Sequence, residues 1–363
     1  MVTARRKKIL VFSLLIILIF FVFLFLLKLE KQEENNQSLD QARINSNWLV
    51  RDNRDLKIIY HENSVELHGG IELMAYPITP SELVLIDEIF PDGYFGVMNL
   101  ITPQDILTVR IGNGAEFPRN FLLKIFYNYL EIDFLILGSG KYKNEFIFSV
   151  PAGAKVDIPL QLSETIEKSN MSSKLTIALA LAPEQHTMFE DGLSSWHTMV
   201  LNFDINYGFY NELILPIELV EPLLLIEELA FFGLMINQDF NPNNEGATRP
   251  PNPLYARPGE QVELGFIANS YMFIQGGESL ENLLILSMLD WKQIPMNGKP
   301  YIRIHVDEDV HQGIHGRFFI EVPNEPGKYE FVAFLIPNAT SANTWENFLP
   351  QETSMRFTIK VVE

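Results

Sequence analysis

The side chains with the clearest capacity for chemistry form a short run of histidines and aspartates, HVDEDVHQGIH, from His305 to His315. Neutral imidazole together with carboxylate is a ligand set that suits Zn²⁺ or Mn²⁺. Because alternate residues of a β-strand share one face, four of these side chains would lie together, and a fifth could reach them from the following turn. The candidate metal ligands are His305, Asp307, Asp309, His311 and His315. The run predicts either a metal site or an exposed acidic strand and turn.

A second group of candidate residues lies in two long loops, at 184–197 and 338–352, each before the final strand of its half of the chain. Loops of this length exceed the usual hairpin connection, and long loops on a rigid sandwich often carry recognition. The candidate ligand-binding residues in these loops are Trp196, Phe189, Trp345 and Phe348. An exposed indole offers a flat apolar face to a sugar ring or a peptide. The alternative is that each indole folds back and closes the end of its own sandwich.

Other catalytic signatures are absent from the sequence. It contains no cysteine, which excludes disulfides, thiolate metal sites and a cysteine nucleophile. It also lacks the G-x-S-x-G nucleophile elbow, the P-loop, the dinucleotide fingerprint and H-E-x-x-H. We therefore expect no cofactor and no catalytic residue outside the candidate metal cluster.

The elements that must position these residues are β-strands, because apolar residues alternate with period two over most of the chain after Ser81. Six segments of the first half resemble six of the second half in the same order. The pairs are SELVLIDEI and EPLLLIEEL, ILTVRIGN and VELGFIAN, NFLL and NLLI, EFIFSVP and RFFIEVP, KLTIALALAP and KYEFVAFLIP, TMVLNFDI and SMRFTIKV. The collinear order predicts two copies of one domain, with Pro183 matching Pro337.

Each copy has the pattern of an antiparallel β-sandwich, since turn signals separate short alternating strands and no long amphipathic helix intervenes. In the last strand, Arg356, Thr358 and Lys360 alternate with apolar residues, which indicates a solvent face. The stretch from Pro326 to Tyr329 is typical of a corner that carries a tyrosine. At the level of pattern, each copy resembles immunoglobulin-like and fibronectin-like modules.

An uncharged run from Ile9 to Leu27 precedes all of these elements. A helix of this length would span roughly 30 Å, about the hydrocarbon thickness of a bilayer. The run is longer than the apolar region of a secretory signal, and no small-residue cleavage pattern follows it. The cations from Arg5 to Lys8 place the N-terminus in the cytoplasm. We expect an uncleaved, single-pass signal anchor with the rest of the chain outside the cytoplasm.

The fold class predicted from the sequence is thus a single N-terminal transmembrane helix followed by a mainly-β ectodomain of two tandem immunoglobulin-like antiparallel β-sandwiches. The expected boundaries are a cytoplasmic tail at 1–8, the anchor at 9–27, a polar stalk at 28–47, a small β element at 48–80, the first sandwich at 81–210, a connection at 211–220 and the second sandwich at 221–363.

Charge and composition restrict the partners. The net charge of −19 disfavours binding to nucleic acid, since an acidic body repels phosphate. The absence of cysteine in a large exported domain favours a prokaryotic cell surface. We expect a non-catalytic protein that binds the membrane through its anchor and binds a cell-wall, polysaccharide or protein partner in adhesion or assembly. The alternative is a metal-dependent hydrolase built on the cluster from His305 to His315.

Overall fold

The computed structural model describes residues 56–67, 69–77, 97–99, 105–163, 173–185, 198–206, 224–226, 233–237, 253–269, 282–305, 313–340, 351–354 and 356–363. The regular secondary structure of these residues is β-strand, as the alternating pattern predicts. They include no helix, and so none that is long and apolar enough to cross a membrane. The predicted anchor at 9–27 and stalk at 28–47 lie outside the described residues.

The strands follow one another in two series. The first series is β1 (Ile59–His61), β2 (Ile71–Tyr76), β3 (Val97–Asn99), β4 (Leu107–Asn113), β5 (Arg119–Tyr127), β6 (Leu130–Glu131), β7 (Phe134–Ile136), β8 (Tyr142–Lys143), β9 (Phe146–Val150), β10 (Lys155–Leu162), β11 (Ser173–Leu181) and β12 (Thr198–Asn206). The second series is β13 (Leu224–Ile226), β14 (Gly233–Asn237), β15 (Leu254–Ala256), β16 (Gln261–Asn269), β17 (Asn282–Leu289), β18 (Lys292–Ile294), β19 (Tyr301–His305), β20 (Gly313–Glu321), β21 (Gly327–Pro337), β22 (Glu352–Thr353) and β23 (Phe357–Val361).

The first series forms a sandwich of two sheets. Sheet A has the order β2-β4-β10-β7-β8, and β1 also pairs with β10. Sheet B has the order β3-β12-β11-β5-β6, and β9 also pairs with β5. Val109 and Ile158 of sheet A and Ile125 and Ile177 of sheet B are fully buried in one core. This shared core holds the two sheets face to face.

The second series forms another sandwich of the same kind. Sheet D has the order β13-β20-β16-β14. Sheet C has the order β15-β23-β21-β17-β18, and in addition β19 pairs with β17 and β22 pairs with β21. Aromatic rings run across the core between the sheets. The ring of Phe318 lies 6.3 Å from that of Phe266 and 6.5 Å from that of Phe331, which in turn lies 5.0 Å from that of Phe357.

The strand pairing of the first series recurs in the second in chain order. The N-terminal strands β1 and β13 pair with β10 and β20, and the parallel pairs are β3 with β12 and β15 with β23. Strands β1 and β2 come from the range 48–80, where a separate small β element was expected. They pair with β10 and β4, so they are strands of the first sandwich itself.

The sequence matches between the halves contain errors of strand and of register. EFIFSVP forms β9, which pairs with β5 in sheet B, whereas RFFIEVP forms part of β20, which pairs with β16 in sheet D. The counterpart of β9 is β19, which pairs with β17. The prolines are also out of register, since Ala182 N bonds to Asn120 O and Asn338 N bonds to Asn282 O. Pro183 therefore corresponds to Ala339.

The central strands of sheets B and C are buried on both faces. In β11, every residue from Ser173 to Leu181 is buried, and in β17 every residue from Asn282 to Leu289 is buried. The solvent face expected from Arg356 and Thr358 is therefore wrong, because their side chains are buried to 6% and 0% exposure. These outward faces of sheets B and C meet each other.

The turn that follows β11 generates a test of the fold. Ala182 has a φ of 47°, in the left-handed region that costs a residue with a Cβ roughly 1 kcal/mol. We expect Ala182→Gly to raise the free energy of unfolding by about 0.5–1 kcal/mol, as measured by urea denaturation of the full chain in detergent. Ala178→Gly within β11 is the matched control and should lower it. A less stable Ala182→Gly protein would contradict the left-handed turn.

Candidate functional site

Among the described residues, the two sandwiches share an extensive interface. Its apolar core contains side chains from the outer faces of sheets B and C. They are Leu122, Phe126, Tyr129, Ala178, Ala180 and Val200 from the first sandwich and Leu284, Leu286, Met288, Trp291, Val332, Phe334, Ile336 and Ala339 from the second. The small side chains of Ala178 and Ala180 leave room for bulkier residues on the facing sheet. Apolar burial therefore joins the sandwiches directly.

Two aromatic turn residues bind across this interface in a reciprocal way. Tyr129 and Trp291 each occupy the second position of a two-residue hairpin turn with φ values of 64° and 63°. The Tyr129 hydroxyl donates a 2.7 Å hydrogen bond to Ala339 O in the second sandwich. Trp291 Nε1 donates a 2.9 Å hydrogen bond to Pro183 O in the first. Aromatic residues with positive φ are uncommon, and here cross-interface bonds hold both of them in place.

A polar group extends the interface beside Tyr129. Gln293 Nε2 donates a 2.8 Å bond to Tyr129 O, and Gln293 N donates a 2.9 Å bond to a Glu131 carboxylate oxygen. Glu131 N donates a 2.8 Å bond back to Gln293 Oε1. The same carboxylate lies 2.6 Å from the Nζ of Lys124, whose side chain is fully buried. The Glu131 carboxylate thus stabilises a buried cation and binds the second sandwich.

Arg356 extends the interface beside Trp291. Its guanidinium donates to Glu330 at 3.1 Å, to Leu181 O at 2.5 Å and to the main-chain oxygen of Gln185 at 2.9 Å. It also lies 4.7 Å from the centre of the Trp291 ring. Burial lowers the pKa of Arg356, and the neighbouring Glu330 carboxylate opposes that shift. One guanidinium therefore connects the β11 turn to the second sandwich.

The contacts fix where the two long loops begin. Tyr127 pairs with Leu175 near the start of β11, and Phe121 pairs with Leu181 at its end, so Tyr129 and Pro183 lie at opposite ends of sheet B. Since Tyr129 binds Ala339 and Trp291 binds Pro183, the loops after β11 and β21 begin at opposite ends of the interface. The returning chain at Thr353 donates a 3.1 Å bond to Thr198 O.

The predicted aromatic ligand-binding residues stay predictions. Trp196, Phe189, Trp345 and Phe348 lie outside the described residues, while both loop roots lie within them. The two loops begin at opposite ends of the interface, but their returning chains meet where Thr353 bonds to Thr198.

Of the predicted metal cluster, the structure describes two members. His305 is exposed at the end of β19 in sheet C, and His315 is buried in β20 of sheet D, the opposite sheet of the sandwich. Burial and the nearby Arg317 lower the pKa of His315. Asp307, Asp309 and His311 lie outside the described residues, and the described ones contain no group of three or more potential metal ligands. The metal site stays a prediction.

A polar cluster that the sequence reading missed lies on the outer face of sheet A. The Asp157 carboxylate is fully buried and accepts bonds from the Arg110 guanidinium at 2.7 and 3.1 Å. His61 Nε2 on the edge strand β1 lies 2.7 Å from the same carboxylate. The cluster ties β1 to the centre of the sheet. In the sequence each of these residues alone is typical of an exposed strand position, and only the strand register brings them together.

Comparison with known proteins gives no family assignment. No protein-family model matches the chain, and no curated protein matches it. Similar solved structures include red sea bream transglutaminase, which is 10% identical with a TM-score of 0.22. The match covers 79% of this chain and only 34% of the transglutaminase chain. They also include the C-terminal domain of the Streptococcus agalactiae AgI/II polypeptide BspA, at 8% identity and a TM-score of 0.21 over 80% of this chain and 100% of that one.

A third similar structure is the C-terminal domain of the Streptococcus pyogenes antigen I/II-family protein AspA. It is 8% identical with a TM-score of 0.22 over 80% of this chain and 99% of that one. TM-scores of this size carry no argument about function. The argument for function therefore rests on the residues of the chain itself.

Removal of the Tyr129 hydroxyl tests the interface. Tyr129→Phe leaves Ala339 O without its donor, so we expect the free energy of unfolding to fall by about 1–2 kcal/mol at neutral pH. Burial raises the pKa of Tyr129 well above its usual value. Stability from the buried neutral phenol is therefore present below about pH 10 and is lost as pH rises further. The variant should lose less stability than the parent above about pH 10.

Urea denaturation of the full chain in detergent, repeated between neutral and alkaline pH, measures both effects. Tyr255→Phe, on a tyrosine that is 60% exposed, is the control and should leave the free energy of unfolding at neutral pH unchanged. Equal stability of Tyr129→Phe and the parent at neutral pH would contradict the bond across the interface.

Proposed function

We propose that the chain is a membrane-anchored extracytoplasmic protein that presents two immunoglobulin-like sandwiches as one rigid unit, with a non-catalytic binding, adhesion or assembly role at a prokaryotic cell surface. One observation carries the proposal: the sandwiches share a buried interface with reciprocal hydrogen bonds from Tyr129 and Trp291. A large apolar interface between domains opposes independent motion of the two. Such a unit can hold binding loops in fixed positions.

The pairing of buried charged side chains within the two sandwiches supports the same proposal. Among the described residues, the buried ionic side chains are paired with each other or with main-chain oxygens of the other sandwich, as for Lys124 with Glu131 and Arg356 with Glu330. Lys174 and Asp204 form another buried pair on sheet B, and burial lowers the pKa of the lysine. These groups serve packing, because leaving one partner of a buried pair alone is strongly destabilising.

The recurrence of strand pairing supports the origin of the two sandwiches as a tandem repeat of immunoglobulin-like modules. The correspondence extends from β1 and β13 to β12 and β23 in chain order. The first module then begins near Leu56 instead of near residue 81. We propose that the second begins near Leu224, where the sequence predicted residue 221.

The proposed topology has a direct test. Protease added to intact spheroplasts should reach residues 28–363, because four cations precede the apolar run and favour a cytoplasmic N-terminus. An immunoblot against a C-terminal tag measures loss of the full-length chain, and a cytoplasmic protein in the same cells is the control for lysis. Full protection of the chain until the spheroplasts are lysed would contradict the proposed topology.

The proposed binding loops have a second test. Trp196→Ala and Trp345→Ala should each lower binding of cells that display the full chain to purified cell wall, polysaccharide or partner protein by about tenfold, with unchanged melting temperature. Trp291→Ala is the matched control, since it removes a buried tryptophan of the interface and should lower the melting temperature. Loss of stability in the loop variants, with binding intact, would assign those indoles to the core.

A further inference from the structure

One end of the first sandwich carries exposed apolar side chains on rigid loops. Leu67 is 59% exposed and Phe117 is 46% exposed, although most large apolar side chains of this sandwich are buried. They lie on two loops, before β2 and before β5, that meet at a third loop between β9 and β10. We call this end the apex and define it by Leu67, Phe117, Arg119 and the glutamates named below.

Two of the three loops of the apex are bound to each other by the side chain of Asn113, which is fully buried. Its Nδ2 donates to the main-chain oxygens of Phe117 at 2.9 Å, Val150 at 3.0 Å and Pro151 at 3.1 Å, and its Oδ1 accepts from Ala115 N at 3.1 Å. One amide thus holds the loop of Phe117 on the loop between β9 and β10.

Main-chain bonds and a cation complete the rigid arrangement. Gly69 N donates to Gly114 O at 2.7 Å, and Gly114 N donates to Gly70 O at 3.0 Å. Arg119 donates to Gly69 O at 3.0 Å, and its guanidinium lies 5.3 Å from the centre of the Phe117 ring. The Arg119 guanidinium therefore holds the exposed Phe117 ring in place, which reduces the entropy lost when a partner binds the ring.

The charge around these apolar side chains is net negative, because Lys155 at this end is paired with Glu72 and the exposed glutamates outnumber the cations. Exposed glutamates adjoin them in sequence or lie at the same end of the sheet: Glu62, Glu66, Glu116 and Glu184. Glu184 accepts a 3.2 Å hydrogen bond from Asn120, the second residue of β5, which places it at the apex. Arg119 is directed to main-chain oxygens of the neighbouring loop. An apolar surface with an acidic rim is complementary to an apolar pocket with a basic rim.

The first described residues enter sheet A away from the apex. Lys57 N donates to Leu137 O, and Leu137 N donates to Pro159 O, which lies four residues along β10 from Lys155. The loop that contains Trp196 begins at the apex, at Ala182, which bonds to Asn120.

We infer that the apex is a docking surface for a partner protein that offers an apolar pocket with a basic rim. This inference rests on the proposed extracytoplasmic role and adds to it the location and the partner class. Leu67 and Phe117 would enter the pocket, and the glutamates would contact the cationic rim. Binding should weaken as salt screens the charged rim.

Site-specific photo-crosslinking in cells that produce the full chain tests the inference. The probe is p-benzoylphenylalanine in place of Phe117, and the matched control is the same residue in place of Phe319, which is 45% exposed on the second sandwich. We expect a discrete protein adduct from position 117 only. The adduct partner is then identified, purified and titrated against the full chain in detergent.

The titration must show three properties of the inferred surface. Phe117→Ala and Leu67→Ala should each weaken binding about tenfold or more, and Phe319→Ala should leave it unchanged. Glu66→Lys with Glu116→Lys should also weaken binding, and raising NaCl from about 50 mM to about 300 mM should weaken binding to the parent. No adduct at 117, an adduct equally strong at 319, an adduct to lipid or glycan, or salt-independent binding would overturn the inference.

Failure of this inference can be told apart from failure of the proposed function. A chain that proteases reach in spheroplasts but that gives no adduct at 117 keeps its surface role and loses the apex partner. A chain that is protected in spheroplasts loses the surface role itself.

Discussion

Packing of sheet B on sheet C is the constraint on which the rest of the structure depends. Strands β11, β17 and β21 have apolar side chains on both faces, so neither sandwich could expose its outer sheet to water without uncovering a large apolar surface. The interface core is apolar, and its ion pairs and hydrogen bonds lie beside Tyr129 and Trp291. The two turn residues join sites at opposite ends of the interface, which opposes both sliding and rotation of one sheet on the other.

The class of fold could be predicted from the sequence because alternation with period two is a local property. The two strand series and their cores follow from it. Pairing is not local, however: EFIFSVP and RFFIEVP have the same alternation and the same final Val-Pro, yet they lie in different sheets. The choice between them depends on which neighbouring strand is free to pair, and a comparison of segments does not contain that information.

The sequence of β11 indicates a strand that is buried at an interface, whereas the sequence of the last strand does not. SKLTIALAL is apolar at nearly every position, which is typical of a strand buried on both faces. In the last strand, by contrast, Arg356 and Thr358 alternate with apolar residues and indicate a solvent face, although both are buried and Arg356 bonds to the first sandwich. A lone arginine in a strand carries no signal that Glu330 and the oxygen of Leu181 will surround its guanidinium.

The distance between the two sandwiches in solution tests the central claim most directly. The chain has no native cysteine, so Lys141→Cys and Lys299→Cys, both at exposed positions, allow one spin label to be placed on each sandwich. Pulsed electron–electron double resonance of the full chain in detergent measures the distribution of label-to-label distances. A rigid unit predicts a single narrow distribution, which Tyr129→Phe with Trp291→Ala should broaden. A broad or multimodal distribution in the parent would contradict the account.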